Sequence, residues 1–275
     1  MSQMTKEEIL TVNQHQKEFY NHKRKNWATR VWSNLRGGLL GDIRKQIGIQ
    51  QQTYETHKNW LGDLSNKKVL DLGCYSGNFL SVYMAENSKR YVGLDLSDKG
   101  IAELQKKINH IESAEAVAED FLSDSFSEKD FDVIYAYGVL HHFKNVDLLI
   151  EKLQEKLTKD GIIISYDPLE TSLPIKTIRT LYRPFQTDKD WEWPFTKKVV
   201  NKFRSHFEVV DLHGILGKSK WFFLLMILPF SKDKKLKMGR NWHQSDWEKS
   251  KNNDQVLFSC MHLTMLMKKK YKHKN

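Results

Sequence analysis

The chain has 275 residues, 40% hydrophobic and 28% charged, which is enough to bury a large core unaided and too apolar for a disordered or fibrous protein. Its two cysteines, Cys74 and Cys260, form no CxxC pair, which argues against a disulfide framework or structural zinc and for a reducing compartment. The net charge of +10 is uneven, with 10 basic and 5 acidic groups in residues 1–60, 22 and 25 in 61–230, and 12 and 4 in 231–275, so both ends are basic. Such ends suit nucleic acid, anionic lipid or a phosphorylated substrate, and equally a solvated lysine tail such as Lys268–Lys274.

Met1–Leu10 lacks the basic start and apolar run of a secretory signal, so a cytoplasmic location is expected. Residues 1–45 are polar and hold one predicted helix, Lys6–Asn21; a second spans Ile47–Leu61 and stops at Gly62 and Ser65-Asn66. We read residues 1–62 as an amino-terminal helical lid and 63–275 as the main domain. From Lys68 short apolar runs alternate with helical patterns. Strands are predicted at Lys68–Leu72, Arg90–Leu94, Ala114–Val117, Phe131–Tyr135 and Gly161–Tyr166, with helices at Gly77–Glu86, Lys99–Ile108 and Asp147–Leu157. That alternation makes an α/β fold with a parallel sheet and helices on both faces, whose ligands bind at the carboxyl ends of the strands.

After Pro168 the alternation pauses. Residues 170–196, with Pro174, Pro184 and Pro194, read as an inserted cap; a helix at Thr196–His206 and a strand at Phe207–His213 follow. A second insertion, 214–254, carries the apolar run Trp221–Phe230. Gln255–Met267 reads as a last strand, and its pairing with Phe207–His213 would give the sheet an antiparallel edge.

The chemistry concentrates in Asp71-Leu72-Gly73-Cys74-Tyr75-Ser76-Gly77, a glycine-rich turn between strand and helix, where backbone can approach a ligand. Alone it fits a dinucleotide site or a plain tight turn. Asp95 ends the second strand, 18 residues after Gly77, where a carboxylate accepts both hydroxyls of a ribose. Asp120-Phe121 follows the third strand, and the fourth runs into Tyr137-Gly138-Val139-Leu140-His141-His142. A nicotinamide site favours G-x-G-x-x-G, and Tyr75 stands where its second glycine would let pyrophosphate touch backbone.

With these four pieces in order over residues 67–167, the chain resembles the class I S-adenosylmethionine-dependent methyltransferases, in the small-molecule group with D-x-G-C-x-x-G and V-L-H-H motifs. The resemblance implies a Rossmann-like, seven-stranded, mostly parallel sheet with one antiparallel edge strand. It also implies S-adenosylmethionine as cofactor. Asp71, Gly73 and Gly77 would surround its methionine part, with Tyr75 in the same turn. Asp95 and the adjacent Leu96 would bind the ribose side, Asp120 the adenine amine with Phe121 beside the ring, and Tyr137 would lie near the sulfonium. The family often has glycine at the position of Tyr75; a side chain there is tolerated if its dihedrals stay ordinary, and it narrows the approach to the turn.

On the acceptor side, His141 or His142 is a candidate general base, or else a cap or wall residue. Tyr20, His22 and Trp27 are candidates for a lid over the cofactor. Tyr20, Asp167, Arg179, Arg183 and Trp191 are candidates for the substrate pocket, the two arginines for gripping a carboxylate or phosphate. No carboxylate cluster for magnesium is visible, so no metal is expected. Trp221–Phe230, ten residues with Pro229 and flanking lysines, is too short to span a bilayer; it is either a buried helix or a peripheral membrane contact. The expected function is methyl transfer to an oxygen or nitrogen of a small-molecule or lipid-linked metabolite. The alternatives are an RNA or protein methyltransferase, against which stands the absence of any N-P-P-Y-like or RNA-binding motif, and a non-catalytic cofactor-binding scaffold.

Overall fold

The structure, a computed structural model, describes residues 6–22, 39–170, 172, 176–177, 180–181 and 191–270. Three helices precede the sheet: α1 (Lys6–His22), α2 (Leu39–Gln46) and α3 (Ile49–Leu61). Then follow β1 (Lys68–Leu72), α4 (Ser81–Asn87), β2 (Arg90–Asp95), α5 (Asp98–Ile108), β3 (Ala114–Ala118), β4 (Phe131–Tyr137), α6 (Val146–Lys156) and β5 (Leu157–Pro168). The rest is α7 (Lys197–His206), β6 (Phe207–Ile215), the one-turn α8 (Phe222–Leu225), α9 (Lys232–Ser250), α10 (Asp254–Leu257) and β7 (His262–Lys269).

The seven strands form one sheet in the order β3-β2-β1-β4-β5-β7-β6. β1 to β5 are parallel, and β7 runs antiparallel to both β5 and β6. The antiparallel pairing expected at the edge is therefore present, with β7 as the reversed strand and β6 outermost. Period-two alternation divides the strand residues between two core layers. Leu70, Leu72, Ile134, Ala136 and Ile163 face a layer with Leu149 and Leu153 of α6 and Val200 and Phe203 of α7. Val69, Tyr91, Val133, Tyr135 and Ile164 face the other layer, with Met84 of α4 and Leu104 of α5. Helices begin where the sequence places acceptors for their first amides: Ser97, Asn145 and Thr196 accept from Gly100 N, Leu148 N and Val199 N.

Two predicted elements are shorter or different. The helix expected from Gly77 starts only at Ser81, because residues 73–80 are held in a turn. The strand expected from Gln255 starts only at His262: Asn253 Oδ1 accepts from Gln255 N and Val256 N and caps α10 instead.

Chain order reverses between β1 and β4, where successive connections leave in opposite directions. A crevice opens there, at the carboxyl edge. Because β6 runs parallel to β5, the segment after Ile215 emerges on the same edge, and so does the segment after Pro168. A third apolar cluster, Ile47, Ile49, Ile215, Leu216, Phe222, Leu225 and Trp247, packs the α2–α3 junction and the 216–247 insertion together. Gly239 makes this possible, since a Cβ there would lie 2.4 Å from the Phe222 ring. Asp246 fixes the start of that insertion by accepting from Lys218 N, Ser219 N and Ser219 Oγ at 2.6–2.8 Å. No helix among the described residues is long and apolar enough to cross a membrane.

Candidate active site

The turn after β1 brings main chain against neighbouring strands. Gly73 has φ +70°, its N–H donates to Leu94 O at 2.7 Å, and a Cβ would lie 2.3 Å from Val139 Cγ2. Only glycine fits this close approach. Gly77 is also left-handed, at φ +94°. Tyr75 does not keep ordinary dihedrals: its φ is +47°, a conformation that costs about 1–2 kcal/mol without glycine. Its ring lies over Gly100, where a Cβ would approach to 2.6 Å, so the strained residue gains a packing partner on α5.

Asp71 anchors this turn from behind. Fully buried, it accepts from Ser81 Oγ at 2.5 Å, Tyr91 OH at 2.8 Å and Asn78 Nδ2 at 3.1 Å, and burial pushes its pKa up to about 6 against those bonds. Asp71 and Gly77 are not among the residues that line the cavity in front of the turn. Their work is to shape the loop.

The cavity in front, about 210 Å³, is lined strand by strand. Leu72, Gly73 and Tyr75 come from β1 and its turn, Leu94, Asp95 and Leu96 from β2, Glu119, Asp120 and Phe121 from beyond β3, and Gly138, Val139, His142 and Phe143 from beyond β4. Asn13 and Gln16 of α1 close it from outside. Asp95 is oriented by Tyr75 N on Oδ2 (3.0 Å) and Ser97 N on Oδ1 (2.8 Å), while burial raises its pKa. Asp120 accepts from Leu122 N at 2.9 Å and from Asn13 Nδ2 at 2.7 Å. Glu119 Oε2 is buried with no hydrogen-bond partner among the described residues. Three carboxylates around one small cavity ask for a ligand rich in donors. α1 is held across the mouth by Asn13, by Lys17 Nζ to Asp98 at 2.9 Å, and by Asn21, which donates to Asp98 and accepts from Ser97 Oγ.

On the β4–β5 side the histidines take different places. His141 is buried, with Nδ1 2.9 Å from Asp167 Oδ1, which also accepts from His141 N at 3.1 Å. Asp167 is wholly buried, its carboxyl pushed well above the usual range by desolvation, and its Oδ1 holds His141 while Oδ2 has no hydrogen-bond partner among the described residues. His142 lines the cavity and sets Nδ1 2.6 Å from Trp191 O. That carbonyl can only accept, so Nδ1 carries a proton. The Trp191 ring meets Phe19 of α1 at 6.3 Å, and Trp193 N donates to His141 O at 2.8 Å, so the 191–195 segment backs both histidines. His141, His142 and Glu192 bring donor atoms within 4.8 Å of one another. Tyr137 lies outside the cavity lining, its ring stacked 4.6 Å from Tyr166 and edge-on to Phe79 at 5.0 Å. Arg179, Arg183, Trp27 and the side chains of Tyr20 and His22 lie outside the described residues.

Asn13, Gln16, Glu119, Val139 and Phe143 were not expected in the site. For Glu119, Val139 and Phe143 the signal was adjacency to a strand end; for the α1 pair the sequence holds none.

The chain matches the methyltransferase domain family over residues 53–249. It is 35% identical over 103 residues to a ubiquinone biosynthesis O-methyltransferase of Pelagibacter ubique, covering 36% of this chain and 41% of that protein. It is 28% identical over 127 residues to a tRNA U34 carboxymethyltransferase of Histophilus somni, covering 45% and 38%. The match thus spans less than half the length of either relative. In fold it is similar to magnesium protoporphyrin IX methyltransferase from Synechocystis PCC 6803, solved with S-adenosylhomocysteine, with TM-score 0.57 and 15% identity over 94% of this chain and 100% of that one. A sheet with its chain-order reversal at β1 and β4, a glycine turn under an acidic cavity and a family match over more than half the sequence agree: the chain belongs to the class I S-adenosylmethionine-dependent methyltransferase family.

Proposed function

We propose that the protein transfers a methyl group from S-adenosylmethionine to an oxygen or nitrogen of a small-molecule or lipid-linked acceptor. The observation that carries this is the cavity ringed by Asp95, Glu119 and Asp120, with Gly73 leaving main-chain space and His142 on the acceptor side. The cofactor's ribose hydroxyls, adenine amine and ammonium are donors, and the buried Glu119 Oε2 is an acceptor in need of one. When bound, S-adenosylmethionine supplies a methyl group on a sulfonium, open to in-line displacement.

Asp95 holds the ribose, Asp120 and Phe121 the adenine, and Leu96 packs the ribose side. α1 is the lid, with Asn13 and Gln16 as its inner face. His142 takes the acceptor's proton on Nε2, its tautomer fixed by the Trp191 carbonyl, and the His141–Asp167 pair holds the neighbouring ring. Enclosure under α1 keeps water from the reacting groups and holds the acceptor at contact distance, which is the main source of rate in a displacement of this kind.

Calorimetric titration with S-adenosylhomocysteine, with NAD as control, tests the cofactor: micromolar binding of the first alone is expected, and binding of neither refutes the assignment. For the base, His142→Ala is expected to lower turnover by about 100-fold with little change in S-adenosylhomocysteine affinity. The names of the relatives also include tRNA, so unmodified tRNA belongs in the acceptor screen, and methylation of tRNA alone would overturn the small-molecule reading.

A further inference from the structure

The Trp221–Phe230 run resolves into two faces. Phe222 and Leu225 point inward and are buried in the third cluster. Phe223, Leu224, Met226, Ile227, Leu228 and Phe230 are exposed, Ile227 at 79%. A buried-helix reading accounts for two residues and leaves six large apolar side chains within residues 223–230 open to water, a concentration that marks an interaction surface.

Three features say what covers them. Phe222–Phe230 contains no polar side chain, whereas a protein interface combines its apolar core with about one hydrogen bond per 100–200 Å². The backbone donors of the tip are already paired: the N–H groups of Met226, Ile227, Leu228 and Phe230 donate to Phe223 O, Leu224 O, Leu225 O and Leu228 O, Pro229 has none, and Lys235 Nζ donates to Met226 O at 3.0 Å. A segment that enters hydrocarbon must meet that condition. The flanks are cationic, with seven basic residues against Asp233 alone between Gly217 and Trp242. Lys234 Nζ lies over the Phe230 ring at 4.3 Å and Lys218 Nζ over the Trp242 ring at 4.9 Å, so cationic groups border the apolar surface directly. Lys232, Lys234 and Lys235 also crowd the first turn of α9, where the helix dipole is positive and lysine is unfavourable in isolation; an anionic surface relieves that repulsion.

We propose that residues 218–237 form a docking surface for an anionic lipid bilayer, the apolar tip entering the acyl boundary and the lysines meeting the headgroups. Because β6 delivers this segment to the carboxyl edge, the bilayer lies on the same edge as the His141–His142 side of the site. The acceptor class is then a molecule that partitions into the bilayer, a part of the inference that rests on the methyl-transfer reading; the docking itself does not.

The test is sedimentation of the full chain with vesicles of phosphatidylcholine alone and of phosphatidylcholine with phosphatidylglycerol in a two-to-one ratio. Binding to the mixed vesicles is expected, weak on the neutral ones and fading with salt. Ile227→Asp is expected to weaken it about tenfold or more, and Lys232→Glu with Lys234→Glu by about fivefold per lysine or more. Both variants keep S-adenosylhomocysteine affinity, since neither position touches the cavity. Failure of the wild-type chain to bind mixed vesicles at low salt overturns the proposal, as does an Ile227→Asp chain that binds like wild type. An oligomer dissolved by Ile227→Asp, with vesicles ignored, assigns the patch to a second copy and overturns the lipid reading too. Vesicle binding without S-adenosylhomocysteine binding refutes the cofactor assignment and leaves the docking surface standing.

Discussion

The two halves of the carboxyl edge are built on different plans. Over β1 to β4 the cavity lining, apart from Asn13 and Gln16 of α1, comes from residues that end or follow a strand, held by main-chain hydrogen bonds: Gly73 to Leu94 O, Tyr75 N and Ser97 N to Asp95, Leu122 N to Asp120. Beyond β5 the edge is furnished by two inserted segments, and its contacts join residues far apart in sequence, His141 with Asp167, His142 with Trp191, Asp246 with Ser219. The first half is a socket of fixed shape for one invariant ligand. The second is where a different acceptor can be accommodated without disturbing the sheet, because loops there carry the chemistry and the strands beneath do not change.

If that contrast is correct, damage to the socket should be severe and local. Gly73→Ala puts a Cβ 2.3 Å from Val139 at φ +70°, so S-adenosylhomocysteine binding should vanish in calorimetry and stability should fall by about 2–4 kcal/mol in urea unfolding. A milder effect is expected for Asp95→Ala, about a hundredfold weaker S-adenosylhomocysteine, with Asp95→Asn intermediate because its one amide oxygen can still accept from Tyr75 N or Ser97 N, though not from both. Equal affinities for the two would show that the charge does no work there.

The contrast also has a joint, and pH probes it. His57 of α3 sits between the halves, fully buried, with Nδ1 2.9 Å from Tyr135 OH and Nε2 2.7 Å from Thr264 Oγ1. The Thr264 hydroxyl hydrogen goes to Ser165 O at 2.7 Å, so Nε2 donates and Nδ1 accepts, which requires a neutral ring. Burial lowers its pKa from 6.5 to about 3, so between those values the unfolded chain binds the extra proton and stability is lost as pH falls. The loss approaches about 1.4 kcal/mol per pH unit for this site. Asp71 has the opposite sign: with its pKa up from 3.8 to about 6, it gains stability as pH falls through that window. Urea unfolding of the wild type and His57→Asn from pH 7 to pH 4 should therefore separate them, the variant losing less; identical slopes would show that His57 already titrates normally. The smallest expected effect is at the lid, where Asn13→Ala should speed S-adenosylhomocysteine release about threefold in stopped flow.

How much of this could be read from the residues follows the same division. The glycine turn, Asp95 and Asp120-Phe121 were legible because each is a short pattern tied to a strand end. What the pattern cannot show is which partner a group meets: Asp71 faces Ser81, Tyr91 and Asn78 rather than the cavity, and Asp167 disappears beneath His141. That Tyr75 takes the left-handed region was not legible, because the requirement for that dihedral comes from the path of the turn, not from the residue. Asn13 and Gln16 left no trace because polar residues on a polar helix look alike until the helix has something to cover. The Trp221–Phe230 run was read as a buried helix or a membrane contact; the residues alone do not show that Phe222 and Leu225, one helical turn apart, face inward while most of the others stay exposed.

β7 has a consequence for how the protein is made. It is the last of the seven strands to be synthesised, yet its place is between β5 and β6, to which it supplies registers from Ile162 to Pro168 and from Phe207 to Ile215. Until it emerges from the ribosome, two apolar strands present bare hydrogen-bonding edges to each other's neighbours and to other nascent chains. Closure of the sheet must wait for contacts that reach across about a hundred residues, the slow kind. A chaperone that shields β5 and β6 during translation would therefore raise the yield of folded protein far more than one acting on the glycine-turn half, which is complete by the time β4 has been made.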